Sequence, residues 1–448
     1  MPIATCKRKL HALTADERFA GILRGSIWAM AGQAISALLS MLVSILVARL
    51  YGAEVMGTLA VINSVLTLVT TFTVLGMDTS ILRLLQEHLV KYSATSALNI
   101  YRKIRIMVTW PSLGAGLLLF LGSQILAERV FGKPHLAYYL ALVAPFVVIS
   151  TLKIINTQAL RGLLQIRSYS LMLFLPALAN LLILLLLKVT FSTPDDPIYS
   201  VFASLFLSGL VGWLLLRKSF TNKTRAADQV QPATCKAILD ISLPMLVTSY
   251  LFFFISQSGT MILGIFHPEE QIGYYDVAMK LSAQVTFILT AINAMVAPRF
   301  AELYHAGKME ELLHVARKSA KLIFWTTAPL LLVLMVFGEP LLGFVFGRKF
   351  INAYPSLLLL SLGQLVNASA GATGFFIYMT GDEKVLRNCA IITAGMNIVL
   401  GFCLIPKFGI VGAALATALG VAFLNGISLL YTKRKYGRST GYFPLLTR

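Results

Sequence analysis

The sequence predicts an all-α polytopic membrane protein with about twelve transmembrane helices, arranged as two parallel-repeat six-helix bundles. Three observations predict this fold: the composition, the recurrence of long apolar segments and the placement of the positive charges. Of the 448 residues, 57% are hydrophobic and only 13% are charged, whereas soluble domains carry about 25% charged residues. The composition therefore excludes an ordinary soluble protein.

Twelve apolar segments recur along the chain, and each is long enough to cross a hydrocarbon core of about 30 Å. Each is predicted to be a helix, because a lone strand leaves its backbone groups unpaired in lipid. The segments are too uniformly apolar for a membrane β-barrel, whose strands alternate in polarity. In chain order they cover 23–47, 57–82, 104–126, 136–157, 168–190, 198–216, 238–265, 273–298, 319–347, 352–379, 385–405 and 409–431.

The positive charges fix the predicted orientation. With a cytoplasmic N-terminus, 30 of the 38 Lys and Arg residues fall on the cytoplasmic side, 7 fall on the other side, and Lys280 alone lies inside a span. This bias is what the positive-inside rule predicts for twelve spans with both termini in the cytoplasm. The net charge of +19 is thereby explained without nucleic acid. Residues 1–22 are polar and basic, which is not the pattern of a cleavable signal peptide.

The chain is predicted to be an internal duplication. The segment 52–57 aligns with 268–273 at an offset of 216 residues, and the same offset pairs Ser40 with Ser256. Parallel repeats of six spans are typical of transporters that bind substrate between the two halves. The predicted divisions are a cytoplasmic tail 1–22, a first bundle 23–217, a cytoplasmic linker 218–237, a second bundle 238–432 and a basic cytoplasmic tail 433–448.

Polar residues line single faces of several spans and are candidates for a substrate-binding cleft. Gln33 and Ser40 lie on one face of the first span, Asn63 belongs to the second, and Ser256 is the repeat partner of Ser40. Such stripes also allow close helix packing with hydrogen bonds between helices. Recurrence of the stripe in both halves favours the cleft, and packing is the alternative.

A further stripe in the eighth span consists of Asp276, Lys280 and Gln284, each four residues after the last. A charge within the membrane costs at least about 2.5 kcal/mol, so it indicates a functional site by default. Lys280 is therefore the leading candidate for the cation that faces the cleft. The alternative is that it pairs with Asp276 or extends its amine toward the membrane surface.

Two other charged residues have a structural explanation as well as a functional one. Asp78 lies near the cytoplasmic end of its span, where pairing with Arg83 would explain it. Arg49 closes the first span at the external surface, either as an interfacial anchor or at the rim of the cavity. We include both as candidate cavity residues.

The sequence contains no pattern that indicates catalysis or a cofactor. There is no GxxxxGK[ST] phosphate loop and no HExxH sequence. Neither a metal site nor a disulfide is indicated by the four cysteines, which lack CxxC spacing. The external loops are short, which argues against an enzyme that acts on lipid-linked sugars. We therefore expect a protein that is not an enzyme and needs no cofactor.

Several segments resemble the polysaccharide biosynthesis and export proteins, which are oligosaccharide (O-unit type) flippases of the multidrug/oligosaccharidyl-lipid/polysaccharide exporter superfamily. The resemblance covers about residues 20 to 432 and lacks the two further helices usual in lipid II flippases. The segments that carry it are Arg24-Gly25-Ser26, Ala48-Arg49-Leu50-Tyr51-Gly52 with Gly57, Leu75-Gly76-Met77-Asp78 with Arg83, Leu160-Arg161-Gly162-Leu163, and Gly273-Tyr274-Tyr275-Asp276-Val277-Ala278-Met279-Lys280-Leu281.

The resemblance implies two six-helix bundles around a central cationic cavity. It also implies alternating access that moves a polyprenyl-pyrophosphate-linked oligosaccharide across the bacterial cytoplasmic (inner) membrane, for assembly of a cell-surface polysaccharide. A polymerase and glycosyltransferases are candidate partners, membrane lipids surround the chain, and H⁺ or Na⁺ is a candidate coupling ion. The alternative is a multidrug or organic-cation antiporter of the same superfamily, which needs acidic residues deep in its helices. Here only Asp78 and Asp276 meet that need.

Overall fold

The computed structural model describes residues 17–221 and 234–444, which form thirteen α-helices, one π-helix and one 3-10 helix, with no strand in those two ranges. Six α-helices belong to the first half of the chain, and the π-helix Leu126–Val130 follows the third of them. They are α1 (Glu17–Val74), α2 (Met77–Lys91), α3 (Ala94–Ile125), α4 (Leu136–Gly162), α5 (Ile166–Thr190) and α6 (Asp196–Thr221).

Seven α-helices form the second half, and the 3-10 helix Arg348–Ala353 precedes the fifth of them. They are α7 (Cys235–Phe266), α8 (Glu269–Ala283), α9 (Thr286–His305), α10 (Met309–Val345), α11 (Tyr354–Ala370), α12 (Thr373–Met379) and α13 (Glu383–Tyr436). The predicted linker 218–237 lies partly outside the described residues, since α6 runs to Thr221 and α7 begins at Cys235. Residues 1–16 of the first predicted tail, 1–22, and residues 445–448 of the last, 433–448, also lie outside the described residues.

The helices of the described ranges account for twelve membrane crossings. Eight helices are long and apolar enough to cross, and the bent pairs α8–α9 and α11–α12 raise that number to ten. The helix α1 is broken by a kink at Gly52 (φ 89°), and α13 is broken in the same way at Gly409 (φ 54°). These positive φ angles suit glycine, which has no Cβ to clash. Dividing the chain at both glycines gives the predicted twelve spans of an all-α membrane protein.

Because twelve is an even number of crossings, both described chain termini belong to the same end of the bundle, which we call the proximal end. The opposite end, which includes residues 49–57 and 266–273, is the distal end. A single hydrophobic core occupies the distal part and joins both halves through residues such as Met56, Leu263 and Tyr275.

The proximal part has two separate cores. One consists of first-half residues around Ile81, Ile104 and Ile155 together with Ile238 from the start of α7, and the other belongs to the second half, around Phe300 and Phe376. The two halves therefore share one core at the distal end, whereas at the proximal end the cores are separate and, among the described residues, only the start of α7 packs on the first half.

Candidate functional site

The distal contact between the halves is a crossing of α1 over α8 at two glycines. A Cβ on Gly57 would lie 1.8 Å from the carbonyl oxygen of Glu269, and a Cβ on Gly273 would lie 2.0 Å from that of Ala53. Ala53 and Glu269 are related by the same 216-residue offset as Gly57 and Gly273. The contact is thus reciprocal, as at an interface with two-fold symmetry. We call these four residues the glycine crossing, and it places the pseudo-two-fold axis between the two halves.

A cluster of charges closes the distal end beside the glycine crossing. The side chain of Glu269 is only 9% exposed and lies 3.6 Å from the amine of Lys133 and 2.9 Å from Nε2 of His135. Lys133 also donates a 2.7 Å hydrogen bond to the carbonyl oxygen of His267. Burial lowers the pKa of the Lys133 amine, and the Glu269 carboxylate opposes that shift. These contacts link the loop before α4 in the first half to the start of α8 in the second.

Arg49 also joins the two halves at the distal end. Its Nε donates a 2.7 Å hydrogen bond to the carbonyl oxygen of Val345, and Nη2 donates to that of Phe344. Both acceptors belong to the last turn of α10, where carbonyls lack partners within the helix and the helix dipole favours a cation. The structure thus places Arg49 in the distal closure, away from the proximal division between the halves.

At the proximal end the two halves touch along only one side. Ser80 of α2 and Ser242 of α7 share a buried 2.6 Å hydrogen bond, and a Cβ on Gly76 would lie 2.2 Å from the carbonyl oxygen of Ser242. We call this α2–α7 contact the closed seam. The 216-residue offset relates it to a contact between α9 and the part of α1 before Gly52. That second side, the open seam, has no comparable packing among the described residues.

The face of α8 that holds Gly273 continues toward the proximal end as the charged stripe. Asp276, Lys280 and Gln284 follow Gly273 at helical spacings of three, four and four, so all four share a face. The Lys280 amine lies 2.6 Å from the Asp276 carboxylate, and the two side chains are 43% and 18% exposed. Gln284, at the break before α9, is exposed. The stripe becomes more exposed with distance from the glycine crossing, as expected where two helices diverge.

On α1 the 216-residue offset relates Asp276, Lys280 and Gln284 to Ala60, Ser64 and Leu68, of which the first two are buried and the third is half-buried. Ser64 is buried and lies 3.4 Å from Gln257 of α7, whereas Asn63 and Thr67 are exposed. Thr67 donates a 2.7 Å hydrogen bond to the carbonyl oxygen of Asn63. In the internal repeat, Ser64 corresponds to Lys280 and Gln257 corresponds to Met41, both at the 216-residue offset. Lys280 therefore corresponds to a position facing α1 before Gly52, where Gln33 and Ser40 are exposed.

Two adjacent cavities lie along the closed seam between the halves. The first measures about 250 Å³, and the second measures about 480 Å³ and reaches the proximal end. Both are lined by Ser249 and Phe252. The first is lined by Asp78 and Ser256 among others, and the second by the cations Lys384 and Arg387 together with Glu383.

Asp78 occupies the first turn of α2, directly after the chain breaks at Gly76. One of its carboxylate oxygens is buried without a hydrogen-bond partner in the described part of the chain. The expected ion pair with Arg83 is absent from the described residues.

The candidate residues fall into separate groups. Asp78 and Ser256 share a cavity, Lys280 pairs with Asp276 beside Gln284, and Gln33 and Ser40 are exposed on α1. Asn63 is exposed above Thr67, and Arg49 stands apart at the distal end. The structure thus does not gather the candidates at one point.

Sequence reasoning missed several residues of this region. Gln257 lines the first cavity beside Thr67, Thr71 and Ser249, which belong to the polar stripes of the second span and of the repeat partner of the first. Lys384 and Arg387 were assigned only to cytoplasmic anchoring. Within 17–221 and 234–444, no three His, Cys, Asp or Glu side chains are grouped to hold a metal ion.

Comparisons with known proteins identify relatives of this chain in sequence and in structure. The protein is similar to a probable low-salt glycan biosynthesis flippase, Agl15, of Haloferax volcanii, with 24% identity over 50% of this chain and 46% of that protein. The chain spans about half the length of the curated relatives it matches.

Solved structures share its fold. The inward closed conformation of the lipid II flippase MurJ matches with a TM-score of 0.67 at 13% identity, covering 91% of this chain and 87% of that one. An inward-facing multidrug MATE transporter of the MOP superfamily matches with a TM-score of 0.71 at 15% identity, covering 93% of this chain and 98% of that one. Residues 45–355 match the family described as polysaccharide biosynthesis protein. The chain belongs to this family, as a multi-pass membrane protein with the flippase and MATE fold.

Proposed function

We propose that this protein is a flippase that moves a polyprenyl-pyrophosphate-linked oligosaccharide across the cytoplasmic membrane by alternating access. The observation that carries the proposal is the single hydrophobic core at the distal end above two separate cores at the proximal end. A protein of this form holds one end shut while polar faces of α1 and α8 are accessible from the other. The proximal end is assigned to the cytoplasm, where both termini were predicted.

A glycan needs such a polar route, because each hydroxyl transferred bare into hydrocarbon costs about 2 kcal/mol or more. The exposed Asn63, Thr67 and Gln284 supply hydrogen-bonding groups along the diverging faces. The cations Lys384 and Arg387 at the proximal end of the second cavity would attract an anionic substrate toward the cleft. Sugar recognition is thereby spread over many weak contacts.

Lys280 is the proposed binding group for the pyrophosphate. Its amine is more exposed than the carboxylate of Asp276, so an anion in the cleft reaches the cation first. Asp276 holds the amine in place and offsets part of the cost of a charge in the membrane. When the substrate leaves, the ion pair re-forms, which prevents the cation from retaining the phosphate.

The open seam is the proposed exit for the lipid tail. The part of α1 before Gly52 and α9 lack the packing that closes the α2–α7 side, so the polyprenyl chain can remain in the bilayer while the head group is in the cleft. A dianion that moves outward gains roughly 4 to 5 kcal/mol from a membrane potential of about 100 mV. The candidate energy source is coupling to H⁺ or Na⁺. The candidate partners are a polysaccharide polymerase and glycosyltransferases.

The alternative, an organic-cation antiporter, is favoured by one observation. Asp78 lines the first cavity with a buried oxygen that lacks a hydrogen-bond partner among the described residues. A cationic drug would neutralise that carboxylate. Replacing Asp78 or Lys280 distinguishes the two functions, since an antiporter depends on the Asp78 carboxylate and a flippase depends on the Lys280 amine.

The test is translocation of a fluorescent lipid-linked oligosaccharide in vesicles that contain the purified full-length protein. Substrate that has crossed is detected by an impermeant glycosidase. We expect Lys280→Glu to reduce the translocation rate at least about tenfold, because reversing a charge removes more than about 1.4 kcal/mol of attraction. Lys280→Arg should retain most of the rate.

The matched control is Lys407→Gln, since Lys407 is an exposed lysine two residues before the break of α13 at Gly409. It should leave translocation unchanged. Normal translocation by Lys280→Glu would remove the proposed role of Lys280. Transport of organic cations that is lost in Asp78→Asn and kept in Lys280→Glu would instead establish the antiporter.

A further inference from the structure

The first of the two cavities along the closed seam, which measures about 250 Å³, adjoins a break in the chain. The helix α1 ends at Val74, and the backbone turns through Leu75 (φ 54°) and Gly76 (φ 71°) before α2 begins. Val74 and Asp78, which flank this break, both line the cavity. The last carbonyls of a helix lack partners within it, and the helix dipole favours a cation there. In transporters, the C-terminal ends of broken helices coordinate cations.

Asp78 brings a carboxylate without a counter-ion to this cavity. One of its oxygens is buried and has no hydrogen-bond partner in the described part of the chain. None of the ion pairs between described residues includes Asp78. Buried charges in proteins are paired or coordinate a metal ion, because an unpaired one is strongly destabilising. The cavity therefore presents a negative charge that a bound cation would balance.

A second oxygen without a partner among the described residues is Oε1 of Gln158, in α4. Thr151 of α4 and Thr73 of α1 share a buried 2.6 Å hydrogen bond, which aligns these two parallel helices. Gln158 lies seven residues after Thr151. Asp78 lies five residues after Thr73, so at 1.5 Å per residue the two positions differ by about 3 Å along the helices. Gln158 also shares a helical face with Ile154, which lines the cavity.

Three hydroxyl groups that line the cavity offer lone pairs rather than protons. Thr67 and Thr71 donate their hydroxyl protons to the backbone carbonyls of Asn63 and Thr67, over 2.7 and 2.8 Å. Ser256 donates in the same way to the carbonyl oxygen of Phe253, over 3.1 Å. Since each proton is used, the lone pairs of the three hydroxyls remain for a ligand. Oxygen acceptors with one carboxylate suit a hard cation that carries a single charge.

We propose that the first cavity binds a monovalent alkali cation between the break in the chain and α4. Asp78 supplies the negative charge, and the amide oxygen of Gln158 and the cavity hydroxyls supply further ligands. A proton alone does not explain the site, because it would neutralise Asp78 and leave the Gln158 oxygen without a partner. Binding of the cation removes an unpaired charge beside the closed seam, and so stabilises the contact between α2 and α7. The site is independent of the substrate that the cleft carries.

Thermal unfolding of the purified full-length protein tests the proposal without measuring transport. At constant ionic strength, NaCl or KCl replaces N-methylglucamine chloride, which serves as the reference salt. At an ion concentration about ten times the dissociation constant, the Tm should rise by at least about 1 °C. The rise should saturate as the site fills, whereas a general salt effect continues to grow.

Replacing the two oxygen ligands should change this response in different ways. Asp78→Asn should remove it, because the charge is lost while the shape is kept. In the reference salt this variant should unfold at or above the Tm of the protein with Asp78, since a charge without a partner is gone. Gln158→Leu should raise the dissociation constant about tenfold, since one ligand is lost. The matched control, Asp240→Asn, changes an exposed carboxylate outside the cavity and should keep the full response.

Three results would overturn the proposal. The first is an equal Tm in the three salts. The second is a saturable response that is unchanged in both Asp78→Asn and Gln158→Leu, which would place the ion elsewhere. The third is stabilisation by tetraphenylphosphonium but by neither alkali cation, which would assign the cavity to organic cations.

Discussion

The two ends of the interface between the halves differ in symmetry. At the distal end the contact is reciprocal, since Gly57 meets Glu269 and Gly273 meets Ala53. At the proximal end the closed seam has the Ser80–Ser242 hydrogen bond, whereas the open seam lacks comparable packing in the described residues. A duplicated chain is therefore symmetric where it is shut and asymmetric where it is divided. In the proposed flippase, the closed seam is the hinge and the open seam admits the lipid tail.

The largest expected effect comes from a methyl group at the glycine crossing. Gly57→Ala places a Cβ against the backbone oxygen of Glu269, which cannot rotate away. Overpacking usually costs about 1 to 3 kcal/mol of stability, and here the loss should be larger by about 1 kcal/mol or more. We expect the distal closure to be lost. The measurement is labelling of a buried reporter, Ser64→Cys, from the distal side by an impermeant maleimide in a variant without other cysteines.

Gly114→Ala is the matched control, because a Cβ on this helical glycine has no atom within 4 Å. It should leave Ser64→Cys unlabelled from the distal side. If Gly57→Ala leaves it unlabelled as well, the glycine crossing does not hold the distal end shut.

A smaller effect is expected from the buried charges beside the crossing. Glu269→Gln leaves the amine of Lys133 without its carboxylate, and breaking a buried pair costs about 3 kcal/mol. The fraction of molecules with an open distal end should rise by up to about 150-fold relative to the protein with Glu269. Labelling of Ser64→Cys measures this fraction. The control variant is Glu128→Gln, which changes an exposed carboxylate that accepts a hydrogen bond from Gln124. Its labelling at Ser64→Cys should equal that of the protein with Glu128. Equal labelling in the two variants would contradict the account.

The smallest effect belongs to the closed seam. Ser242→Ala should cost about 1 kcal/mol, because it leaves the buried Ser80 hydroxyl without the Ser242 oxygen as its partner. Adding Ser80→Ala should restore most of that loss, since both hydroxyls are then gone, whereas Ser80→Ala alone should cost less because Ser242 still donates to the carbonyl oxygen of Ile238. Thermal unfolding of the two single variants and the double variant measures the coupling. Additive losses would show that the two hydroxyls do not depend on each other.

Most of the architecture was predictable because lipid imposes simple rules on sequence. Long apolar segments, the side of each Lys and Arg, and the 216-residue offset predicted twelve helices in two halves. The sequence could not reveal where the chain would bend, because the breaks at Gly76 and after Ala283 depend on contacts between helices. It also could not show that Arg49 caps α10, since the acceptors are backbone carbonyls almost 300 residues away. The sequence also could not distinguish Lys384 and Arg387 as cavity residues, because many other cations lie at predicted cytoplasmic helix ends.

The prediction for Lys280 illustrates the limit at the site. Spacing alone allowed both a pair with Asp276 and a position facing the cleft, and the structure has the pair on the face that continues from Gly273. These two alternatives are therefore compatible. Sequence spacing defines which residues share a helical face, but not which other helix that face meets.

The central claim is that water reaches the divided faces of α1 and α8 from the proximal side only. Its most direct test is labelling of Gln284→Cys, in a protein whose Cys6, Cys235, Cys389 and Cys403 are replaced by serine, with an impermeant maleimide applied to right-side-out or inside-out vesicles. We expect labelling from the cytoplasmic side and none from the outside. Absence of labelling from either side would mean that this face is sealed in protein or lipid, and would contradict a polar cleft for a glycan.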